Sequence, residues 1–359
     1  MTARLEILLL AVFCTLFQIS QSATFAAGAN TGSIGQGGRI INGTLANVNA
    51  TKHQVSIRRR SNDRIFFGNG HICGGSLIEP NVVLSAAHCF VNQEISTGVY
   101  RPASQYVVVM GTLNRYDHTE YTLQFDIDQI VYGINPFNLS TYETDIALVF
   151  LNGSVPAGHP TVQPIQRATT AVAAGTVCQA TGWGQTEKGL LSTELLSVDL
   201  PIIGSNQCTQ DTDFDRGLIR DGMLCAGYLQ GERDACAGDS GGPLVCNSRL
   251  TGIVSWGIQC ALPLLPGVYT DVAYYTDWID NEMKTYVNSM QRANTTSNST
   301  RPSGNSTGSG NSTGGGSGGG SGGGSWGGGG GGGAMSTFSH SAVMLVMIVA
   351  WTTVMSNFN

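Results

Sequence analysis

With 359 residues the chain is longer than one ordinary domain requires, and its net charge of −6 is spread out rather than gathered, which leaves no basic field for nucleic acid. Of nine cysteines, Cys14 lies in an apolar leader and the other eight form an even set. In a secreted chain that set reads as disulfides. Metal ligation is the weaker alternative, since there is no C-x-x-C and no paired-histidine spacing.

The elements follow in chain order. Arg4 precedes an apolar run from Ile7 to Phe17, and Ser20–Gln21–Ser22 offers a small-x-small cleavage site, so residues 1–22 read as a secretory signal peptide. Short β-rich runs then recur, beginning with "QVSI", "GGSLI", "VVLSAA", "YVVVMG", "IDQIVY" and "DIALVFL". A second series follows, with "TVCQATGWG", "LLSVDLPII", "GMLCAGY", "PLVC", "LTGIVSW" and "GVYTDV". Gly, Pro and Asn separate them at fairly even spacing, which predicts an antiparallel all-β sandwich or barrel. One helix is expected from Ala273 to about Asn288, where Tyr275, Trp278, Ile279, Met283, Tyr286 and Val287 recur at helical spacing.

Beyond residue 290 the composition changes. Residues 291–333 read as a Ser/Thr/Asn/Gly stalk, because such a segment cannot bury enough apolar surface to offset its ordering entropy. About 40 residues of such chain span roughly 35 Å. The apolar tail Ala342 to Met355 is too short to cross the hydrocarbon core as a helix, reaching about 21 Å against roughly 30 Å. Small residues, a spacer and a terminal apolar tail match a lipid-anchor (GPI) attachment signal over 334–359, removed on attachment near Gly330 to Gly333. A poor single-pass anchor is the alternative. Eight N-x-S/T sequons, at Asn42, Asn49, Asn138, Asn152, Asn294, Asn298, Asn305 and Asn311, agree with the secretory route.

Three motifs carry chemistry: "SAAHC" at His88, "DIALV" at Asp145 and "GDSGGP" at Ser240. A serine hydroxyl is a weak nucleophile at neutral pH and needs a base, and the base needs an acid to fix its tautomer. The order His, Asp, Ser with these flanks resembles the chymotrypsin-like serine proteases, over about Ile40 to Asn288. The resemblance implies an all-β fold of two packed antiparallel six-stranded β-barrels with a C-terminal helix, and a protease domain over 40–290. It makes His88 the general base, Asp145 its orienter and Ser240 the nucleophile. The backbone N–H groups of Gly238 and Ser240 form the oxyanion hole. It pairs Cys73 with Cys89, Cys178 with Cys246, Cys208 with Cys225, and Cys236 with Cys260. No cofactor or metal is implied, and Thr112 stands where the calcium loop of some trypsins carries an acid.

Asp234, six residues before Ser240, matches the acid at the floor of the first specificity pocket of trypsin-like members. Gly257 and Gly267 match the pocket-wall glycines, and Ser255, Trp256 and Gly257 the strand that pairs with substrate. Ala235 lacks a hydroxyl that would help bind a lysine ammonium, so Arg is expected over Lys. Gln259 replaces a usual Gly and is expected to narrow the entrance. The following "ALPLLP" either contacts substrate or folds back on the body. Asp239 resembles the family's activation switch: cleavage after Arg39 frees the Ile40 α-amino group to pair with it, making 23–39 an activation propeptide. The implied partners are Arg/Lys-bearing protein or peptide substrates, an activating trypsin-like protease, protein inhibitors and the outer membrane leaflet. The loop from Cys89 to Gly111 is expected to border the leaving-group side of the cleft. Arg58 to Arg64 reads as a solvated basic hairpin tip, with an exosite for an acidic partner as the alternative. The competing functions are a catalytically silent protease-like binding module, against which the intact motifs argue, and an adhesive coat protein led by its glycine-rich tail.

Overall fold

The computed structural model describes residues 42–95, 97–214 and 217–299. The signal peptide, Arg39, Ile40, Asn305, Asn311 and the lipid-attachment tail lie outside the described residues, as do the side chains of Asn294 and Asn298. The fold is mostly β and chymotrypsin-like. Strand β1 (Thr44–Leu45) is a short edge strand. The first half then holds β2 (Gln54–Arg59), β3 (His71–Glu79), β4 (Val82–Ser85), β5 (Tyr106–Met110), β6 (Leu123–Phe125), β7 (Ile127–Tyr132) and β8 (Ala147–Leu151). Their sheet order is β6-β5-β2-β3-β4-β8-β7. Only Asp126 separates β6 from β7, so one run of chain pairs with β5 at its start and β8 at its end. The second half holds β9 (Val177–Gly182), β10 (Leu196–Ile203), β11 (Met223–Ala226), β12 (Pro243–Cys246), β13 (Arg249–Trp256) and β14 (Gly267–Asp271). The additional β10–β9 pairing closes these six strands into a barrel, and β1 adds to β10.

The strand sequences explain this curvature. "YVVVM" of β5 and "ALVFL" of β8 are buried at every position. A continuous apolar run of this length suits a strand covered on both faces, and alternation appears only where one face meets water. The first core gathers Val55, Ile57, Leu77, Leu84, Val108, Leu148 and Phe150, and the second Leu196, Val198, Leu200, Leu244 and Tyr269. Four disulfides join Cys73–Cys89 in the first half and Cys178–Cys246, Cys208–Cys225 and Cys236–Cys260 in the second.

Helices are few. A single turn, α1 (Arg60–Asp63), caps the β2–β3 hairpin, and α2 (Ser205–Gln210) follows β10. The last helix, α3 (Thr276–Ser299), leaves the second half and lays Ile279 and Tyr286 on the first core.

Three expectations need correction. Helix α3 starts three residues later than Ala273 and runs past Asn288 to Ser299, into the segment read as stalk. Neither Gly nor Pro interrupts it, and the first breaker is Pro302. Val287 is 51% exposed rather than packed; at about 100° per residue it sits roughly 80° round the helix from Ile279. The basic hairpin tip is not uniformly solvated. Arg58 is fully buried, with Nη1 3.2 Å from Asp63 and Nη2 donating to the Arg115 carbonyl. Arg60 pairs with Asp126 at 2.7 Å.

Candidate active site

His88 sits on a 3-10 turn, Ala87–Phe90, that follows β4. Its backbone N–H donates to Asp145 Oδ1 at 2.9 Å and its Nδ1 lies 2.7 Å from Oδ2. Nδ1 facing a carboxylate carries the proton, which leaves Nε2 as an acceptor. Asp145, two residues before the start of β8, is 1% exposed. From the second half Ser255 Oγ donates to its Oδ2 at 2.5 Å, and Thr270 Oγ1 donates to its main-chain carbonyl at 2.7 Å. Both halves therefore fix this carboxylate.

Ser240 opens on the same cavity as His88, a cleft of about 460 Å³. Its hydroxyl makes no hydrogen bond to His88; catalytic contacts of this kind commonly tighten only with substrate bound. Gly238 adopts φ +97°, and a Cβ there would lie 2.5 Å from Leu191 Cδ2, so only glycine fits the turn. Among the described residues the N–H groups of Gly238 and Ser240 have no acceptor, while the neighbouring Asp239 N–H donates to Cys236 O. Asp239 is 1% exposed and accepts from the N–H groups of Gly184 at 2.7 Å and Cys236 at 2.9 Å. Burial pushes its carboxyl up to about 6, against the lowering effect of those two bonds.

Asp234 lines the cleft and is 3% exposed. Its Oδ2 accepts from Ala261 N–H at 3.1 Å, and its Oδ1 has no partner. Burial raises this carboxyl to about 7, opposed by backbone hydrogen bonds and reinforced by Asp239. A Cβ on Gly267 would lie 2.8 Å from Asp234 Oδ1, so the glycine keeps the carboxylate reachable. A Cβ on Gly257 would meet only Gln259 O at 3.4 Å, so that side of the cleft is open. Ala235, Ser255, Trp256 and Gln259 line the same cleft. The apolar "ALPLLP" segment folds back: Leu264 N–H donates to Leu229 O, and Leu265 packs beside Phe214 and Trp256.

Several site residues carry no motif. Tyr142 lines the cleft with its ring centroid 5.6 Å from that of His88, and Tyr269 leaves a buried hydroxyl without a partner. A second serine–histidine pair, Ser56 Oγ and His71 Nδ1 at 2.8 Å, is closed off: the residues are 1% and 4% exposed and neither lines the cleft. His71 Nε2 lies 3.0 Å from the Gly238 carbonyl, and burial lowers this histidine to about 3, so it is neutral and Nε2–H donates. The pair braces the Gly238 peptide from behind. No motif in the sequence points to His71, and its contact with Gly238 spans 167 residues of chain. Cys73, His88 and Cys89 present ligand atoms within 4.8 Å of one another, yet both sulfurs are spent in a disulfide. The four sequon asparagines with described side chains, Asn42, Asn49, Asn138 and Asn152, are all exposed.

The trypsin family profile matches residues 40–279. The chain belongs to the trypsin family. It is 38% identical to Trypsin eta of Drosophila melanogaster over 252 residues, covering 70% of this chain and 90% of that relative. It is 37% identical to Trypsin-2 of Salmo salar over 250 residues, covering 69% of this chain and 96% of that relative. Trypsin I-P1 of Gallus gallus is 36% identical over 250 residues, with shares of 69% and 90%. Membership makes the chain a trypsin-like serine endopeptidase with peptide substrates. The trypsin match and the β-barrel halves cover the same residues, and the helix beyond residue 279 continues outside the match.

Proposed function

We propose that the protein is the secreted zymogen of an Arg-directed endopeptidase, held at the outer cell surface by a lipid anchor. The observation that carries the specificity is Asp234, a buried carboxylate whose Oδ1 has no protein partner and faces a glycine-walled cleft. A charge so placed is costly alone and is matched by an incoming guanidinium, which pairs in bidentate fashion. Arg precedes Lys because Ala235 offers an ammonium no hydroxyl.

Ser240 Oγ attacks the scissile carbonyl carbon while His88 Nε2 takes the hydroxyl proton. Asp145 holds the imidazolium through Nδ1–H. The carbonyl oxygen becomes an oxyanion between the N–H groups of Gly238 and Ser240. His88 returns the proton to the leaving amine as the C–N bond breaks, giving an acyl-enzyme. Water, deprotonated by the same His88, releases the acid and regenerates Ser240. Cleavage after Arg39 supplies the Ile40 ammonium that pairs with Asp239 and shapes the oxyanion hole. The propeptide carries no cysteine and leaves after the cut.

Hydrolysis of matched Arg, Lys and Phe amide substrates, before and after cutting at Arg39, tests this reading. Activity confined to the cut form in the order Arg, Lys, Phe is expected. A profile led by Phe refutes the pocket. Release of the protein from cells by phosphatidylinositol-specific phospholipase tests the anchor; a membrane-bound form retaining Ala342 to Asn359 refutes it.

A further inference from the structure

A second groove, with a volume near 600 Å³, lies where the β2–β3 hairpin meets the loop after His88. Arg59, Arg60, Arg64 and Arg101 line it, in a chain whose net charge is −6. Two carboxylates answer these four cations: Glu94 lies 3.0 Å from Arg101 and Asp126 lies 2.7 Å from Arg60. Both acids are exposed, at 78% and 63% of their side-chain surface. Arg59 stacks its guanidinium over Tyr106 and reaches only Gln105 Oε1, at 3.5 Å. Arg64 has no carboxylate partner among the described residues. Asp63, the remaining nearby acid, is turned inward to buried Arg58. The groove therefore keeps an excess of forked donors.

Its place gives it a role. Gln93 lines the catalytic cleft and Glu94, the next residue, lines the groove, so one 3-10 turn (Gln93–Ile95) forms the wall between them. That turn follows His88 in the loop expected on the leaving-group side. Beyond Arg64, Ile65 and Phe66 stand 81% and 62% exposed. We propose that this groove receives an acidic segment of the substrate polypeptide downstream of the scissile bond, with an apolar residue set against Ile65 and Phe66. The proposal rests on reading the neighbouring cleft as a proteolytic site directed at Arg. A peptide fits better than a sulfated polysaccharide, which supplies anions but nothing for the two apolar side chains. Guanidinium forks match carboxylates two bonds at a time. Glu94 is an internal competitor, since an incoming carboxylate displaces it from Arg101.

Two quenched peptides test this, identical through the scissile Arg and differing downstream as Glu-Asp-Glu-Phe or Gln-Asn-Gln-Phe. The activated full chain should cleave the acidic peptide about tenfold more efficiently at low salt, and the gain should vanish by about 0.5 M salt, where charges are screened beyond about 4 Å. Arg59→Gln with Arg64→Gln should erase the preference, and Glu94→Gln should raise it. A short Arg p-nitroanilide, which has no downstream residues, should be cleaved alike by all of them. In a second arm, the fluorescein-labelled acidic peptide should bind the Ser240→Ala protein and lose at least tenfold in affinity with the double Gln variant. Equal cleavage of the two peptides, or a preference that survives the double variant, overturns the proposal. So does tight binding of a heparin-type oligosaccharide where the acidic peptide fails. An uncleaved p-nitroanilide condemns the Arg reading alone, because the binding arm still judges the groove.

Discussion

Two buried aspartates, Asp234 and Asp239, five residues apart, show how much one side chain's surroundings decide. Burial raises both, to about 7 and about 6. Asp234 must be ionised to meet a guanidinium, so benzamidine inhibition should weaken as pH falls through about 7, with Ki rising toward tenfold per unit; a flat profile speaks against Asp234 as the cation's partner. The stability sign is opposite to that of an ordinary salt-bridged acid. A carboxyl raised above its unfolded value binds its proton more tightly in the folded state, so stability declines as pH rises from about 4 to 7. Asp234→Asn should therefore raise Tm at pH 8 while lowering kcat/KM on Arg substrates by about 10³ or more, as expected for losing a desolvated charge pair. A lowered Tm would point to a structural role. Asp234 was legible because its offset from Ser240 is short and fixed. Arg58 was not: its partner Asp63 comes within reach only because "RSND" winds into a helical turn, and nothing in "RRRSNDR" announces which arginine is inside. Arg58→Met should show that cost directly, leaving Asp63 uncompensated and removing about 3 kcal/mol from the unfolding free energy in urea.

At the scale of elements, burial on both faces made β5 and β8 readable, and helical spacing located α3 with Ile279 and Tyr286 on its inner side and buried Tyr275 just before it. Its end was not readable, because a polar segment without Gly or Pro looks the same as stalk or as exposed helix. Tyr286 stacks on Phe150 with centroids 3.8 Å apart and donates to Asp128 at 2.9 Å. Tyr286→Ala should cost about 3 kcal/mol by denaturation. Because this contact lies outside the cleft, KM and kcat on a small Arg amide should hold steady at low temperature. Strand β3 has a different relation to the site. Its His71 holds the Gly238 carbonyl, in the peptide linking Gly238 to Asp239, and so steadies the turn that carries the Gly238 and Ser240 N–H groups. His71→Ala should lower kcat by about 10²-fold, the scale of one oxyanion donor, with benzamidine Ki unchanged because the cation pocket is separate. Equal losses in kcat and inhibitor affinity would mean a general collapse of the loop instead.

Across the whole molecule, the candidate site draws on two halves that no described disulfide joins. His88 and Asp145 come from the first half; Ser240, Ser255 and Asp234 from the second. Gly74 N–H donates across to Ser240 O at 2.7 Å, and Asp145 takes hydrogen bonds from Ser255 and Thr270. The order of the three motifs made the site legible, yet this cross-bracing is long-range and leaves no local pattern. Asp239 sits where the halves meet, buried, with only backbone donors among the described residues. Such a carboxylate gains most from a cation delivered late, which is what a new amino terminus at Ile40 would provide under the proposed activation. A free α-amino group titrates near pKa ~7.7–8.0, and the proposed pairing with Asp239 would raise that value in the activated enzyme. A raised amine contributes fully below its unpaired pKa and is lost as pH rises through the raised one. The activated enzyme should therefore lose activity reversibly in alkali, and acetylating Ile40 should reproduce the loss at neutral pH. Arg39→Gln should stay silent to a trypsin-like activator. Full activity in the uncut chain, or an acetylated enzyme with an unchanged pH profile, would remove Asp239 from the switch and leave its burial to be explained by the Gly184 and Cys236 bonds alone.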